Sequence, residues 1–321
     1  MKHTILISIA IGVFLLSGCG ASPTEPPAPT PTEAPAEPTH SNLPYMDDDN
    51  PKHTLDIYLP DEVTEAIPTL LMIHGSLDSK DDHSEVGNYF AEQGYAVVMT
   101  EYQTDNGQQT AIQELFCSLA WVHSNAEKYG VDSQRVYLFG YSLGGYFSAT
   151  LGSIKDPSNY QEGCPQPLPE TNRAQGIITF AGLFGTPDVC MSPQGGWCLS
   201  GFASGNNMPL PEMLGIFEAL REVPPSNWKD SSELSDEIKH FAEGLPLYWI
   251  DGSEPPFLII HGDADDMVPV GEPEAFVNAV QANGGEVELL IIPGAGHFSL
   301  SLASPSFAKI SEAVEDFISE R

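Results

Sequence analysis

Three apolar runs in this chain each stop at a short polar segment, and their placement constrains the fold more than any other feature. Residues 136–139 lead into Gly140-Tyr141-Ser142-Leu143-Gly144. Residues 256–260 lead into His261-Gly262-Asp263-Ala264-Asp265. Residues 287–292 lead into Gly294-Ala295-Gly296-His297. The runs are apolar almost throughout rather than at alternate positions, as strands of a parallel sheet are when helices cover both faces. Strands are expected over 53–59, 69–73, 96–101, 136–139, 176–180, 257–260 and 287–292. Helices are expected over 85–93, 111–129, 144–152, 272–283 and 305–319. This alternation predicts right-handed crossovers and a mostly parallel, doubly wound α/β sheet. Ligands in such sheets bind beyond the carboxyl ends of the strands, which is where the three polar segments fall.

The chemistry of those segments is that of an activated hydroxyl. A sharp strand-to-helix turn, allowed by the small glycines, would hold Ser142 exposed and strained. A serine hydroxyl is a weak nucleophile without a base in reach. His297 is the candidate base, and Asp265 the acid that would fix its tautomer. Asp263 and Asp266 compete with Asp265 on residue type alone. In a chain with 29 glycines a lone Gly-x-Ser-x-Gly is weak evidence. The discriminating feature is the set of three, in the order Ser, Asp, His, each after a strand.

Further stretches carry a family likeness: Leu55-Asp56-Ile57-Tyr58-Leu59-Pro60, Leu70-Leu71-Met72-Ile73-His74-Gly75, Ala120-Trp121-Val122-His123 and Pro255-Pro256-Phe257-Leu258-Ile259-Ile260-His261-Gly262. With the serine segment, they make the chain resemble an α/β-hydrolase of the bacterial esterase and lipase group. It is most similar there to carboxylesterases related to feruloyl esterases and dienelactone hydrolases. The resemblance covers roughly residues 50–321, with a poor match from about 153 to 250. It implies ester hydrolysis through an acyl-enzyme, with Ser142, Asp265 and His297 as the triad. Asp265 falls on the catalytic position of the family's His-Gly-x-x-Asp-x-x-Val-Pro pattern. Leu143 and Ser76 are the implied backbone donors to the oxyanion, although His74-Gly75-Ser76 stands where many relatives have His-Gly-Gly-Gly. His74 and His261 read as structural turn residues.

At the N-terminus, Met1-Lys2-His3 precedes an apolar stretch over 5–16, too short for a comfortable membrane span and patterned like a signal peptide. Leu16-Ser17-Gly18-Cys19 resembles the bacterial lipobox, which implies cleavage after residue 18 and lipidation of Cys19. Residues 19–44, rich in Pro, Thr, Ala and Glu, read as an extended stalk that cannot bury a core. Residues 45–321 are enough for one large catalytic domain. The expected location is extracytoplasmic, in the cell envelope, lipid-anchored to the membrane. An ordinary secretory signal is the alternative.

Acidic residues number 45 against 12 basic ones, a formal net charge of −33. Such a chain is a poor partner for nucleic acid or an anionic membrane surface. Outside the cytoplasm, the even set Cys117, Cys164, Cys190 and Cys198 suggests disulfides, Cys190 with Cys198 and Cys117 with Cys164; four free thiols are the alternative. No metal-ligand spacing or phosphate-binding loop is evident. The Asp47–Asn50 acidic run reads as a solvated loop, and the expected chemistry needs no cofactor. Residues 182–250, rich in Gly, Pro, Met and aromatics, read as a cap over the site, or alternatively as an insert with its own small core. Two other functions compete with the esterase: a peptidase of the prolyl-oligopeptidase type, and a non-catalytic surface-binding lipoprotein. The natural ester and the oligomeric state are not encoded in any motif.

Overall fold

The computed structural model describes residues 37–104, 106–168 and 174–321. The expected signal peptide, Cys19 and the stalk up to residue 36 lie outside the described residues. Eight strands form one sheet: β1 His40–Pro44, β2 Thr54–Tyr58, β3 Ile67–Ile73, β4 Ala96–Thr100, β5 Val131–Tyr141, β6 Gly176–Phe180, β7 Phe257–Gly262 and β8 Val287–Ile292. Their order is β1-β2-β4-β3-β5-β6-β7-β8. The pairs from β4 to β8 are parallel, whereas β2 runs antiparallel to both β1 and β4.

Both faces of the sheet are apolar, as the continuous runs required. On one face Leu71, Ile73, Val98, Leu138, Ile177 and Ile259 pack under the helices α2 (Gln108–Tyr129), α3 (Leu143–Ser153) and α8 (Gly271–Ala282). On the other face the neighbouring positions Leu70, Met72, Val97, Phe139, Ile178 and Ile260 pack under α1 (Ser84–Glu92) and α9 (Phe307–Ser319). Period-two alternation along each strand thus feeds two separate apolar layers.

Strand β1 corrects the sequence reading, which ended the stalk at residue 44. His40–Pro44 pairs with β2 at the sheet edge, and none of its five residues is fully buried. Backbone pairing holds it, along with a 2.6 Å hydrogen bond from the Asn42 amide to the Asp56 carboxylate. With little apolar surface to bury, the strand leaves no hydrophobic pattern to read.

The stretch from 182 to 250 holds four helices that the sequence reading left unassigned: α4 Pro187–Cys190, α5 Gly196–Gly205, α6 Leu210–Glu222 and α7 Asp236–Ala242. Met213, Phe217 and Trp228 are fully buried and join the apolar layer above α2 and α3. Phe202 of α5 packs against Phe217 and Phe241, with ring centroids 5.4 and 6.0 Å away. The four cysteines form the two expected pairs. Cys117–Cys164 ties α2 to the loop after α3, and Cys190–Cys198 ties α4 to α5. Glu272, at the start of α8, is fully buried against this second disulfide, its Oε1 3.4 Å from Cys190 Sγ. Its Oε2 accepts from the Phe184 and Thr186 amides at 3.1 and 3.4 Å, fastening the beginning of the insert to the sheet domain.

Candidate active site

Ser142 sits between the end of β5 and the first residue of α3, with φ 54° and ψ −116°. That left-handed φ costs a non-glycine residue of order 1–3 kcal/mol and persists only where its surroundings enforce it. The surroundings here are crowded backbone. A Cβ on Gly140 would stand 2.0 Å from the Gly144 carbonyl oxygen, and a Cβ on Gly144 would stand 1.9 Å from that of Ile73. Only glycine lets the serine turn press this closely against the loop after β3. The Ser142 amide donates to Phe180 at the end of β6 over 3.0 Å, fixing the turn from the other side.

His297 comes from the loop after β8 and is buried. Its Nε2 is 2.9 Å from Ser142 Oγ, and its Nδ1 is 2.8 Å from Asp265 Oδ2. In the tautomer this geometry requires, Nδ1–H donates to Asp265 and Nε2 accepts from the serine hydroxyl. The other oxygen of Asp265 accepts from the amides of Met267 and Val268 at 2.9 and 2.8 Å. Burial opposes ionisation of Asp265, but the hydrogen bonds from His297 and these two amides outweigh it. They hold the carboxyl below its usual range.

The neighbouring acids do other things. Asp263 turns away and accepts from the Gly294 amide at 2.6 Å, bracing the histidine loop. Asp266 lies on the cavity wall, outside the relay. His261 is fully buried. Its Nε2–H donates to the Val268 carbonyl at 2.9 Å, closing the loop that carries Asp265. His74 braces the loop after β3: its Nδ1–H donates to the Gly75 carbonyl, and its own carbonyl accepts from the Tyr102 hydroxyl at 2.8 Å. Beside it, Glu101 is pulled down to about 2: burial raises it, and contacts with His74, Lys52 and the Lys80 amide more than reverse that.

A cavity of about 620 Å³ opens at Ser142 and His297, and both Ser76 and Leu143 line it. Its far wall is α5, through Trp197, Gly201, Phe202 and Gly205. A Cβ added at Gly201 would meet nothing within 4 Å. Among the described residues the insert has no separate small core: Met213, Phe217 and Trp228 join the core of the sheet domain, Trp197 lines the cavity, and Phe202 does both. Gln108 and Tyr146, which sequence reasoning missed, also line the cavity. The Tyr146 hydroxyl donates to Gln108 Oε1 at 2.7 Å, and Gln108 Nε2 donates to the Phe241 carbonyl at 2.7 Å. The available signal for Tyr146 was its position one helical turn after Ser142.

Among the described residues, Cys190, Cys198 and Glu272 bring ligand-type atoms within 4.8 Å of one another. The two sulfurs are joined to each other, so neither is a thiolate that could bind a metal. Asp47, Asp48 and Asp49 of the acidic run are exposed, and Asp48 lies 2.7 Å from His53 Nδ1.

Sheet order and nucleophile turn define the class, an α/β-hydrolase. Residues 55–280 match the BD-FAE family, and the chain belongs to it. Ser142 and Asp265 fall inside the matched span and His297 beyond it. The chain is similar to Esterase LipC of Mycobacterium tuberculosis, 24% identical over 257 residues, 78% of this chain and 57% of that protein. It is also similar to isoprenylcysteine alpha-carbonyl methylesterase ICME of Arabidopsis thaliana, 26% identical over 281 residues, 84% of this chain and 60% of that one. It thus spans rather more than half the length of these curated relatives. Among solved structures, a truncated carbohydrate esterase from gut microbiota superposes with a TM-score of 0.67 at 20% identity, covering 90% of this chain and 98% of that one. The butyrate-bound esterase Est2 of Thermogutta terrifontis gives 0.64 at 20% identity, covering 89% and 94%. At these identities the structural likeness is one of fold.

Proposed function

We infer that the protein hydrolyses carboxylic esters through an acyl-enzyme on Ser142. The observation that carries this is the unbroken relay from Asp265 through His297 to Ser142, opening directly onto the cavity. The esterase names of the curated relatives support the same reaction class. His297 Nε2 takes the serine proton as Oγ attacks the ester carbonyl. Asp265 stabilises the imidazolium that results. The tetrahedral oxyanion is held by the amides of Leu143 and Ser76, donors of a kind worth about 2.7–4 kcal/mol each in characterised enzymes. His297 then protonates the departing alcohol. Water, deprotonated by the same nitrogen, releases the acid and restores the serine.

The location belongs to the same proposal: Cys19 carries a lipid anchor, and the Pro- and Thr-rich segment after it holds the domain off the membrane. Turnover of a p-nitrophenyl ester by wild type and not by Ser142→Ala is the expected result. Turnover by both proteins, or by neither, overturns the assignment. Cys19→Ser moves the protein from the membrane fraction to the soluble fraction with full activity, and continued membrane association removes the anchor from the account.

A further inference from the structure

Three large apolar side chains near Ser142 and His297 stand in solvent, two of them on the cavity wall. Leu77 is 94% exposed, Phe298 70% and Met267 43%. Their positions make them a group. Leu77 follows Ser76, Met267 lies two residues after Asp265, and Phe298 follows His297, so each of the three loops around the site contributes one. Leu77 and Met267 line the cavity beside Ser142 and His297. The Phe298 ring stands edge-on to the His297 imidazole, centroids 5.3 Å apart. Among the described residues only Leu210, Leu214 and Leu302 are comparably exposed large apolar side chains. Single exposed leucines are ordinary, whereas apolar residues gathered around an opening mark a surface that meets something apolar.

The charge pattern narrows what that something is. Among the described residues no lysine or arginine lines the cavity, and Asp266 is the one carboxylate that does. The chain's net charge of −33 repels anionic surfaces and equally opposes a face-to-face contact with a second copy. The rim meets the cavity through Leu77 and Met267, with Phe298 outside the cavity wall.

We propose that Leu77, Met267 and Phe298 dock the protein on the surface of a neutral, water-insoluble ester, such as a droplet or aggregate, with the cavity mouth facing the apolar phase. This rests on the ester-hydrolase reading and gives it a substrate class: uncharged esters presented as a separate phase rather than as dissolved molecules.

Two measurements on the full-length chain carrying Cys19→Ser, which removes the proposed acyl anchor as a second route to the droplet and is the wild-type background for both, test it. In the first, Ser142→Ala protein is floated with emulsified trioctanoin on a density gradient. It travels with the droplets, and adding Phe298→Ser or Leu77→Ser lowers the bound fraction at least fivefold. Using two separate exposed positions guards against a fold defect in either one. In the second, wild type and Phe298→Ser are assayed on dissolved p-nitrophenyl acetate and on tributyrin through its solubility limit. The two proteins agree within twofold on the acetate; past the limit the wild-type rate climbs and the variant is about tenfold slower. Ser142→Ala that stays in the aqueous phase overturns the proposal, as does a Phe298→Ser variant that loses both activities in equal proportion. A wild-type dimer in sedimentation velocity that Phe298→Ser dissolves, with no flotation, overturns it in favour of self-association. Flotation with no hydrolysis of any ester supports the docking surface and overturns the reaction instead.

Discussion

Replacing Glu272 by glutamine should change how stability depends on pH, and the structure sets the size and sign of the change. Burial pushes this carboxyl from its ordinary 4.5 up to about 7, and the amides of Phe184 and Thr186 recover only part of the cost. Below 4.5 the folded and unfolded chains both hold the proton, and the side chain contributes its full stability. Between 4.5 and about 7 the unfolded chain ionises while the folded one does not, so stability falls as pH rises. Above about 7 both states are ionised and the loss is complete. At 1.36 kcal/mol per pH unit, the loss is about 3 kcal/mol across the window. His123 and His261, which burial holds below their usual range, act in the opposite direction in part of this window. The total profile is therefore not diagnostic, and the difference between variant and wild type is, because shared terms cancel. Glutamine keeps a carbonyl oxygen for the two amides and never ionises. In urea unfolding at pH 4.5, 6 and 8, Glu272→Gln should gain about 3 kcal/mol on wild type between the ends of the range. A difference that stays constant with pH would refute the reasoning.

Other expectations follow from the site geometry. Asp265→Asn should lower kcat by about 10⁴, as loss of the tautomer-fixing acid does elsewhere. Asp263→Asn should stay near wild-type kcat with a small stability loss, and the reverse pattern in steady-state kinetics would reassign the acid. Gly144→Ala forces a Cβ into the Ile73 carbonyl. By overpacking of about 3 kcal/mol it should lower Tm by roughly 6–12 °C; Gly201→Ala should leave Tm unchanged. Phe202→Ala, which loses packing on Phe217 and Phe241, should cost about 3–5 kcal/mol. Trp197→Ala should instead alter the kcat/KM ratio between short and bulky esters, by about 1–3 kcal/mol. Equal stability losses in the two variants would put Trp197 in the core.

What the chain made legible in advance is what local chemistry dictates. Largely apolar runs announced most of β3 to β8, because strands covered by helices have few polar positions, although the polar start of β5 at Asp132–Arg135 escaped that signal. The serine turn was legible because only glycine satisfies the crowding at Gly140 and Gly144. Asp265 and His297 were legible from their places at strand ends together with the family pattern. β1 was not, since an edge strand of His, Ser, Asn, Leu and Pro is held by backbone pairing. Helix α6 did carry a signal, Met213, Ile216, Phe217 and Leu220 at helical spacing, which the abundance of Gly and Pro around it obscured. The Gln108–Tyr146 pair and the apolar rim could not be read locally. Gln108 and Tyr146 meet only because α2 and α3 are neighbours, and Leu77, Met267 and Phe298 lie on three loops that only the finished sheet brings together.

The relay joins strands that leave the ribosome at very different times. Ser142 and His297 are 155 residues apart. At about 5–20 residues per second, Ser142 emerges roughly 8–30 s before His297. His297 takes its place only when β8 has added to the sheet beside β7, and until then the nascent chain carries an elbow with an ordinary, unactivated hydroxyl. The order of the elements along the chain therefore makes the Ser142–His297 contact one of the last in the domain that can form.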